Sequence, residues 1–562
     1  MRGGKPRNRP GICRRPLTFD NNTVRDAFVA GLWQGGGTYE WANYNACLLA
    51  SVSGRIYHVD PSGYHVSDIT LPNDQNPANI TRAYFEQGEM FTFIQDGQSQ
   101  PLIFGGATLR RADRRKGEIP TGTIMKYAMG RMIVVLPDQH SFVAGNIVGS
   151  PTGGGSANYN FRDSIIFFTE NDLILGGGVF SGVEEITDFQ EISAIDRQIN
   201  LDPLFIFTKT GGNLADLPRV REAWAIMQDP LIVGGLRGEG PIGHLSTITA
   251  NSDIWYRAVD GTIRSIKMAV RDFQGWGDTP MSQEVHYILK HDTPSLLPFG
   301  SGVYFDNRLL MTCSPRKVPD HGIAHEGLIA MDFHEVSSLE RRGYPAYDGL
   351  WTGVRILQIM TLRVDNAKRC FAFGLDEDDQ IGLWEYTKAD PFDNFGSPNP
   401  QRIPWVLEYP RYNWGEYEAR HKRLKRLVGG AVFPSGLVGT VNFTVRYRAD
   451  NDPIYRQHYT WSDCAEAQCP ANACDAMVPN VPQYRGRVTL PLPAIIENTQ
   501  TQYPSNVGYS FQPRLEVTGP AMIESFKFDA TDQPEILFKC APTERCETLQ
   551  ACNEAVFGHQ VE

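Results

Sequence analysis

Apolar residues along this chain come in short runs that turn back on themselves. Eight segments join one apolar run to a second across a turn rich in Asp, Asn or Gly: Gly54–Gly63, Phe91–Phe104, Met132–Gly145, Phe167–Gly178, Phe205–Gly212, Ile254–Ile266, Val303–Thr312 and Phe371–Tyr386. Short polar side chains satisfy the backbone of a tight turn and tolerate positive φ, so each segment predicts a β-hairpin. The hairpins recur at roughly the 40–50 residues of one four-stranded propeller blade. The pattern therefore predicts a β-propeller. A string of unrelated sandwich hairpins is the alternative, because the spacing is uneven and no fixed motif repeats.

The texture changes after the hairpin series. Asp390–Pro404 (DPFDNFGSPNPQRIP) reads as a linker. Beyond it, Val441, Phe443, Val445 and Tyr447, then Phe511, Leu515 and Val517, alternate as half-buried strands do. The expected class is all-β, a β-propeller with a second, smaller β-rich C-terminal domain. The expected order is a basic arm with lead-in strands over 1–50, the propeller over 51–388, a linker over 389–404, and a platform or sandwich domain with a cysteine-rich end over 405–562.

Composition agrees with short elements. The 54 glycines and 37 prolines interrupt nearly every segment, and no long helix-period stretch appears. A chain of 562 residues exceeds one ordinary core, although a propeller can grow blade by blade. The start, MRGGKPRNRPGICRRPLTFD, lacks the apolar stretch of a secretion signal. Apolar runs such as Met132–Leu136 are of strand length, too short to span a bilayer. Synthesis in a cytosol without membrane insertion is the expectation.

The net charge is −11, with local basic exceptions. Arg2, Lys5, Arg7, Arg9, Arg14 and Arg15 crowd the first residues among Pro and Gly, and such an arm cannot build a core alone. Two further clusters are Arg110, Arg111, Arg114, Arg115 and Lys116, and Arg420, Lys422, Arg423, Lys425 and Arg426. Aromatics do not interleave with them, so base stacking is unsupported. An acidic chain with basic spots makes a poor sequence-specific DNA reader.

Catalytic patterns are missing from the sequence. There is no GxSxG elbow and no Lys-Ser/Thr phosphate loop. His321 and His325 stand near Asp320 and Glu326, but the spacing is not HExxH; a polar loop closing two strands is the better reading. Asp376–Glu385 gathers carboxylates and reads as a hairpin turn rather than a calcium loop. No catalytic residue, metal or cofactor is expected. Cys13, Cys47, Cys313 and Cys370 are isolated. Cys464, Cys469 and Cys474, and Cys540, Cys546 and Cys552, form two triplets without zinc-site spacing. Disulfides among these six are expected if the protein meets an oxidising exterior, with zinc and free thiols as alternatives.

RNRPGICRRP, LLASVSGRIYHVD, IQDGQSQPLIFGG, NFRDSIIFFTENDLILGGGVFSG, FDNRLLMTCSP and AYDGLWTG together resemble the propeller-type tail proteins of tailed bacteriophages. The nearest likeness is to the nozzle or tail-hub component of short-tailed phages, the packaged-DNA stabilisation protein. The similarity runs from Arg7 to Ala530; its motifs concern fold, and the cysteine-rich end has no counterpart in it. The resemblance implies a non-enzymatic virion protein made in the host cytoplasm and forming a hexameric ring in the tail. Implied partners are the portal-adaptor protein, tail fibres or needle, and double-stranded DNA passing through the lumen without sequence readout. On this reading Arg7, Arg9, Arg14 and Arg15 hold the arm to a neighbouring subunit or the adaptor, with DNA contact by the arm as the weaker alternative. Arg110, Arg111, Arg114, Arg115 and Lys116 would touch DNA in the channel. A propeller-type receptor-binding or polysaccharide-hydrolysing tail protein is the other reading.

Overall fold

The computed structural model describes residues 6–41, 44–74, 77–78, 82–146, 177–181, 184–191, 204–215, 232–251, 253–266, 280–334, 346–387, 391–396, 400–412, 425–450, 452–464 and 507–532. The chain divides into two units. One comprises Ile12–Lys388 with Asn394–Pro398; the other comprises Met1–Gly11, Ala389–Asp393 and Asn399–Glu562.

The first unit is a β-propeller, with seven blades among the described residues. Their first strands are Trp33–Trp41, Tyr84–Gly88, Met125–Ala128, Ile186–Glu191, Thr247–Ala250, Gly302–Phe305 and the second half of Ala346–Val364. Each lies beside the first strand of the next blade, and Ala346–Val364 lies beside Trp33–Trp41, so the order closes into a ring. From each first strand a sheet runs outward, antiparallel throughout except that Thr18–Phe19 adds a parallel strand at the edge of blade 1. Seven of the eight predicted hairpins are present, one per blade; Phe167–Gly178 lies outside the described residues apart from its end. Two-residue turns at Ser53-Gly54, Met129-Gly130, Asp306-Asn307 and Asp365-Asn366 take positive φ at both positions, which matches the twist of the paired strands.

Blade 6 shares its last strand with blade 7. The first half of Ala346–Val364 pairs with Gly322–Asp332, and its second half pairs with Ala367–Leu375. The chain's own start then completes blade 7: Ile12–Arg15 pairs antiparallel with Ile381–Tyr386. The propeller therefore begins at Ile12, well before the expected 51. The region taken as lead-in strands supplies this closing strand and most of blade 1, which also holds Tyr44–Val52, Arg55–Val59 and His65–Asp68.

Successive blades pack face to face, which explains the continuous apolar strands. In Leu204–Thr208, Leu204 and Ile206 face blade 3, joining Ile133 and Phe142, whereas Phe205 and Phe207 face blade 5, joining Ile254 and Tyr256. A strand buried on both sides has no polar face to keep. Blades 7 and 1 share the same kind of core, in which Trp33, Leu48 and Tyr57 meet Leu357, Phe371 and Phe373.

The second unit is a β-sandwich. One sheet orders Pro404–Glu408, Phe511–Thr518, Thr440–Ala449 and Arg456–Cys464; the other sets Lys425–Ser435 between Val507–Gly508 and Met522–Asp532. Val441, Phe443, Val445, Leu515 and Val517 are buried with Val432, Trp461 and Ile523 between the sheets, as the alternation predicted. Residues before the propeller also join this unit: Ile523 donates its N–H to the Pro6 carbonyl, and Arg7 bridges Met522.

Candidate functional site

Charged side chains collect where the first strands line the propeller axis. Arg82 precedes the first strand of blade 2, and its Nη2 lies 3.0 Å from Nδ1 of His244, which precedes the first strand of blade 5. The pair thus crosses the axis. The guanidinium also sits 5.4 Å from the rings of Tyr84 and of Phe299, the latter just before blade 6. Burial and the nearby charges of Arg82 and Lys126 push the His244 pKa well below its ordinary value. The ring is therefore neutral at physiological pH, and Nδ1 accepts the arginine's hydrogen bond.

A second group lies along the same lining. Lys126 Nζ stands 4.0 Å from Glu86 Oε1, and each keeps about a quarter of its side chain open, 26% and 24%. Burial raises the Glu86 pKa despite Lys126. Asp188 is pushed up to about 7 by burial, which Lys126 and the hydrogen bond from Gln190 offset in part. Gln190 Nε2 donates to Asp188 Oδ2 at 3.1 Å.

At the end of the ring where the first strands begin, a cavity of about 600 Å³ opens. Trp33, Leu245, Leu296, Phe299 and Leu357 give it apolar walls, and Arg82 stands among them. The tip of the long hairpin of blade 6, with Lys317, Pro319 and Asp320, borders it.

The residues singled out from sequence lie elsewhere. Arg9 makes a bidentate pair with Asp393, both bonds 2.7 Å. Arg14 Nη2 reaches Asp376 at 2.7 Å, and Arg15 Nε reaches Glu385 at 2.8 Å. Arg7 is exposed while its backbone bridges Met522. These arginines are thus engaged within the chain. Arg110 pairs with Glu118 at 2.8 Å and Arg111 with Asp74 at 2.5 Å. Both belong to Leu109–Arg111, the outermost strand of blade 2, and Arg114, Arg115 and Lys116 form the turn after it. The cluster is on the rim, away from the propeller's own axis. Arg114 and Arg115 are exposed there.

His321 occupies the hairpin tip with its Nδ1 3.1 Å from the Gly31 carbonyl, and His325 lies on a strand with Nδ1 3.2 Å from the Ile356 carbonyl. Burial pushes the His325 pKa down to about 4. Among the described residues no group of three or more His, Cys, Asp or Glu could hold a metal. Asp376 caps the predicted hairpin turn, accepting from Asp378 and Gln380 N–H groups. Cys464 pairs through its backbone with Thr440; Cys469, Cys474, Cys540, Cys546 and Cys552 lie outside the described residues. No described helix is long and apolar enough to cross a membrane.

No protein-family model matches the chain, and no curated protein matches it. Among solved structures it is similar to YCF48 bound to D1 peptide, at 7% identity and TM-score 0.36, over 70% of this chain and 98% of that one. BamB from Moraxella catarrhalis matches at 8% identity and TM-score 0.34, over 67% and 91%. A chain of the Mitotic Checkpoint Complex matches at 7% identity and TM-score 0.35, over 67% and 93%. The propeller assignment stands on this chain's own blades and their closed order.

Proposed function

We propose that this chain is a structural subunit of a bacteriophage tail, one copy of a ring that retains packaged DNA and forms the conduit for its ejection. The observation that carries the reading is a propeller closed by its own N-terminal strand, a stiff block suited to repeated heterologous contacts around a symmetry axis. The motifs that resemble nozzle proteins lie largely within this block. The conduit would form between copies, because the Arg82–His244 pair crosses the propeller's own axis. DNA would then meet rims rather than axes. Arg114 and Arg115, exposed at the rim of blade 2, are the better candidates for weak phosphate contact; Arg110 and Arg111 already hold carboxylates. The cavity at the ring's mouth favours receptor binding as the second reading. Glycoside hydrolysis uses a pair of carboxylates, and among the described residues the cavity lining brings one, Asp320.

Quantitative mass spectrometry of purified tails and images of isolated rings test the proposal. A fixed ring stoichiometry, a channel wide enough for a duplex, and DNA leakage from particles lacking the chain are expected. Particles that keep their DNA without it would overturn the reading.

A further inference from the structure

We propose that the cavity at the propeller's mouth binds a carboxylate carried on an apolar body, with the Arg82 guanidinium as its anchor. This inference stands independently of the tail reading. Among the described residues no carboxylate bonds to Arg82. Within the described residues its hydrogen-bond partner is neutral His244, 3.0 Å away, which uses one of the five N–H donors of a guanidinium. The Tyr84 and Phe299 rings, each 5.4 Å from its centre, hold the group in place and supply no anion.

A cation held in such surroundings is costly without a full counter-ion; the charge of Asp188 bears on Arg82 only in part, because burial holds that carboxyl's proton to about 7, and burial still lowers the Arg82 pKa. A carboxylate fits the guanidinium fork through two parallel bonds. Around that anchor the walls are apolar: Trp33, Leu245, Leu296 and Leu357 would cover a hydrocarbon or aromatic body. The volume, about 600 Å³, lies within the roughly 300–1,000 Å³ of small-ligand sites. Lys317 and Asp320 at the border nearly cancel, so charge selection falls to Arg82.

A free acid and the C-terminus of an apolar peptide share this chemistry. Calorimetric titration of the full chain with dodecanoate, with N-acetyl-Leu-Leu-Phe, and with the same peptide as its amide separates them. At least one acid should bind at one site per chain, and which acid binds identifies the source. The amide should bind roughly ten- to hundredfold more weakly than its acid if the peptide is the ligand, the loss expected for a charge-assisted hydrogen bond. Arg82→Gln should weaken the bound acid by a similar factor, and Arg82→Lys by less. Lys317→Gln should change it little. If Arg82→Gln does not fold, Arg82→Lys and dodecanol in place of dodecanoate decide. Binding of neither acid, equal binding of acid and neutral analogue, or full affinity in folded Arg82→Gln would overturn the proposal.

Discussion

The Gln358 side chain grips the Gly36 peptide from both sides. Its Oε1 accepts the Gly36 N–H at 2.8 Å, and its Nε2 donates to the Gly36 carbonyl at 2.9 Å. Gln358 lies on the first strand of blade 7 and Gly36 on that of blade 1, so the last blade is tied to the first beside the axis. A side chain at Gly36 would crowd the strand beside it, because an added Cβ would come within 3.0 Å of the Leu49 carbonyl oxygen.

Gln358→Leu should therefore loosen ring closure. It keeps the bulk but orphans a buried N–H and a buried carbonyl, at roughly 1–3 kcal/mol each. Urea unfolding followed by tryptophan fluorescence should show a loss of about 2–6 kcal/mol. A change below the ordinary surface-mutation range of about 0.5 kcal/mol would show that the clamp is not stabilising.

The outer seal depends on charge. Glu385 accepts from Arg369 Nη2 at 2.7 Å and from Arg15 Nε at 2.8 Å. Burial opposes its ionisation, but the hydrogen bonds from Arg369 and the charge of Arg15 outweigh this and lower its pKa. Its contribution is thus present above the ordinary Glu value of about 4.3 and is lost as pH falls through the lower folded value. Glu385→Gln should destabilise the propeller by roughly 1–3 kcal/mol at pH 7. The difference from the unaltered chain should shrink toward pH 3. A difference independent of pH would refute the assignment.

Removing residues 1–15 should open blade 7, since Ile12–Arg15 forms four paired positions of its outer edge. Removing residues 1–11 should spare that strand. Limited proteolysis of the two truncations should show faster cleavage of the propeller in the longer deletion alone. Equal resistance would show that the closing strand is dispensable.

The hairpins were legible because turn chemistry is local: Asp306-Asn307 announces its geometry without knowledge of the fold. Most strands around the axis were not, although Gly302–Phe305, bar its first residue, fell within a predicted hairpin. Tyr84–Gly88 and Met125–Ala128 are short and carry the charged Glu86 and Lys126, so they lack a strand's apolar signature. The closing strand was read as a basic arm for a related reason. Its Arg14 and Arg15 find their acids 362 and 370 positions later, a pairing that no sequence window contains. Arg82 and His244 are 162 residues apart, and nothing beside either one marks a site. The sandwich core was readable because its strands are buried on one face and keep strict alternation.

The four buried cysteines, Cys13, Cys47, Cys313 and Cys370, should be inert in the folded chain. Burial raises the thiol pKa of Cys47 and Cys370 and pushes Cys313 up to about 12, and the thiolate is the reactive form. Under reducing conditions, a thiol reagent should label at most six of the ten cysteines before unfolding and all ten after it. Rapid native labelling of any of the four, located by peptide mapping, would contradict their burial.

Asp188 should give the propeller an unusual response to pH. An unfolded Asp titrates near about 3.9, but here the carboxyl holds its proton to about 7. The folded chain therefore binds more protons at this group between these values, and stability from it falls as pH rises from about 4 to 7. Lys126 and Arg82 face Asp188 as cations, and Glu191 bears on it through Lys126. The buried histidines act in the opposite sense. His325, at about 4, and His244, well below its ordinary value, bind protons more readily when unfolded, so stability from them rises with pH toward about 6.5. The two effects offset each other in the unaltered chain. Asp188→Asn removes one of them. Its stability should climb more steeply from pH 4.5 to 7 than that of the unaltered chain, by up to about 1.4 kcal/mol per pH unit. Denaturant melts at matched pH values measure the difference, and parallel stability curves for the two proteins would show that Asp188 is already ionised in the folded ring.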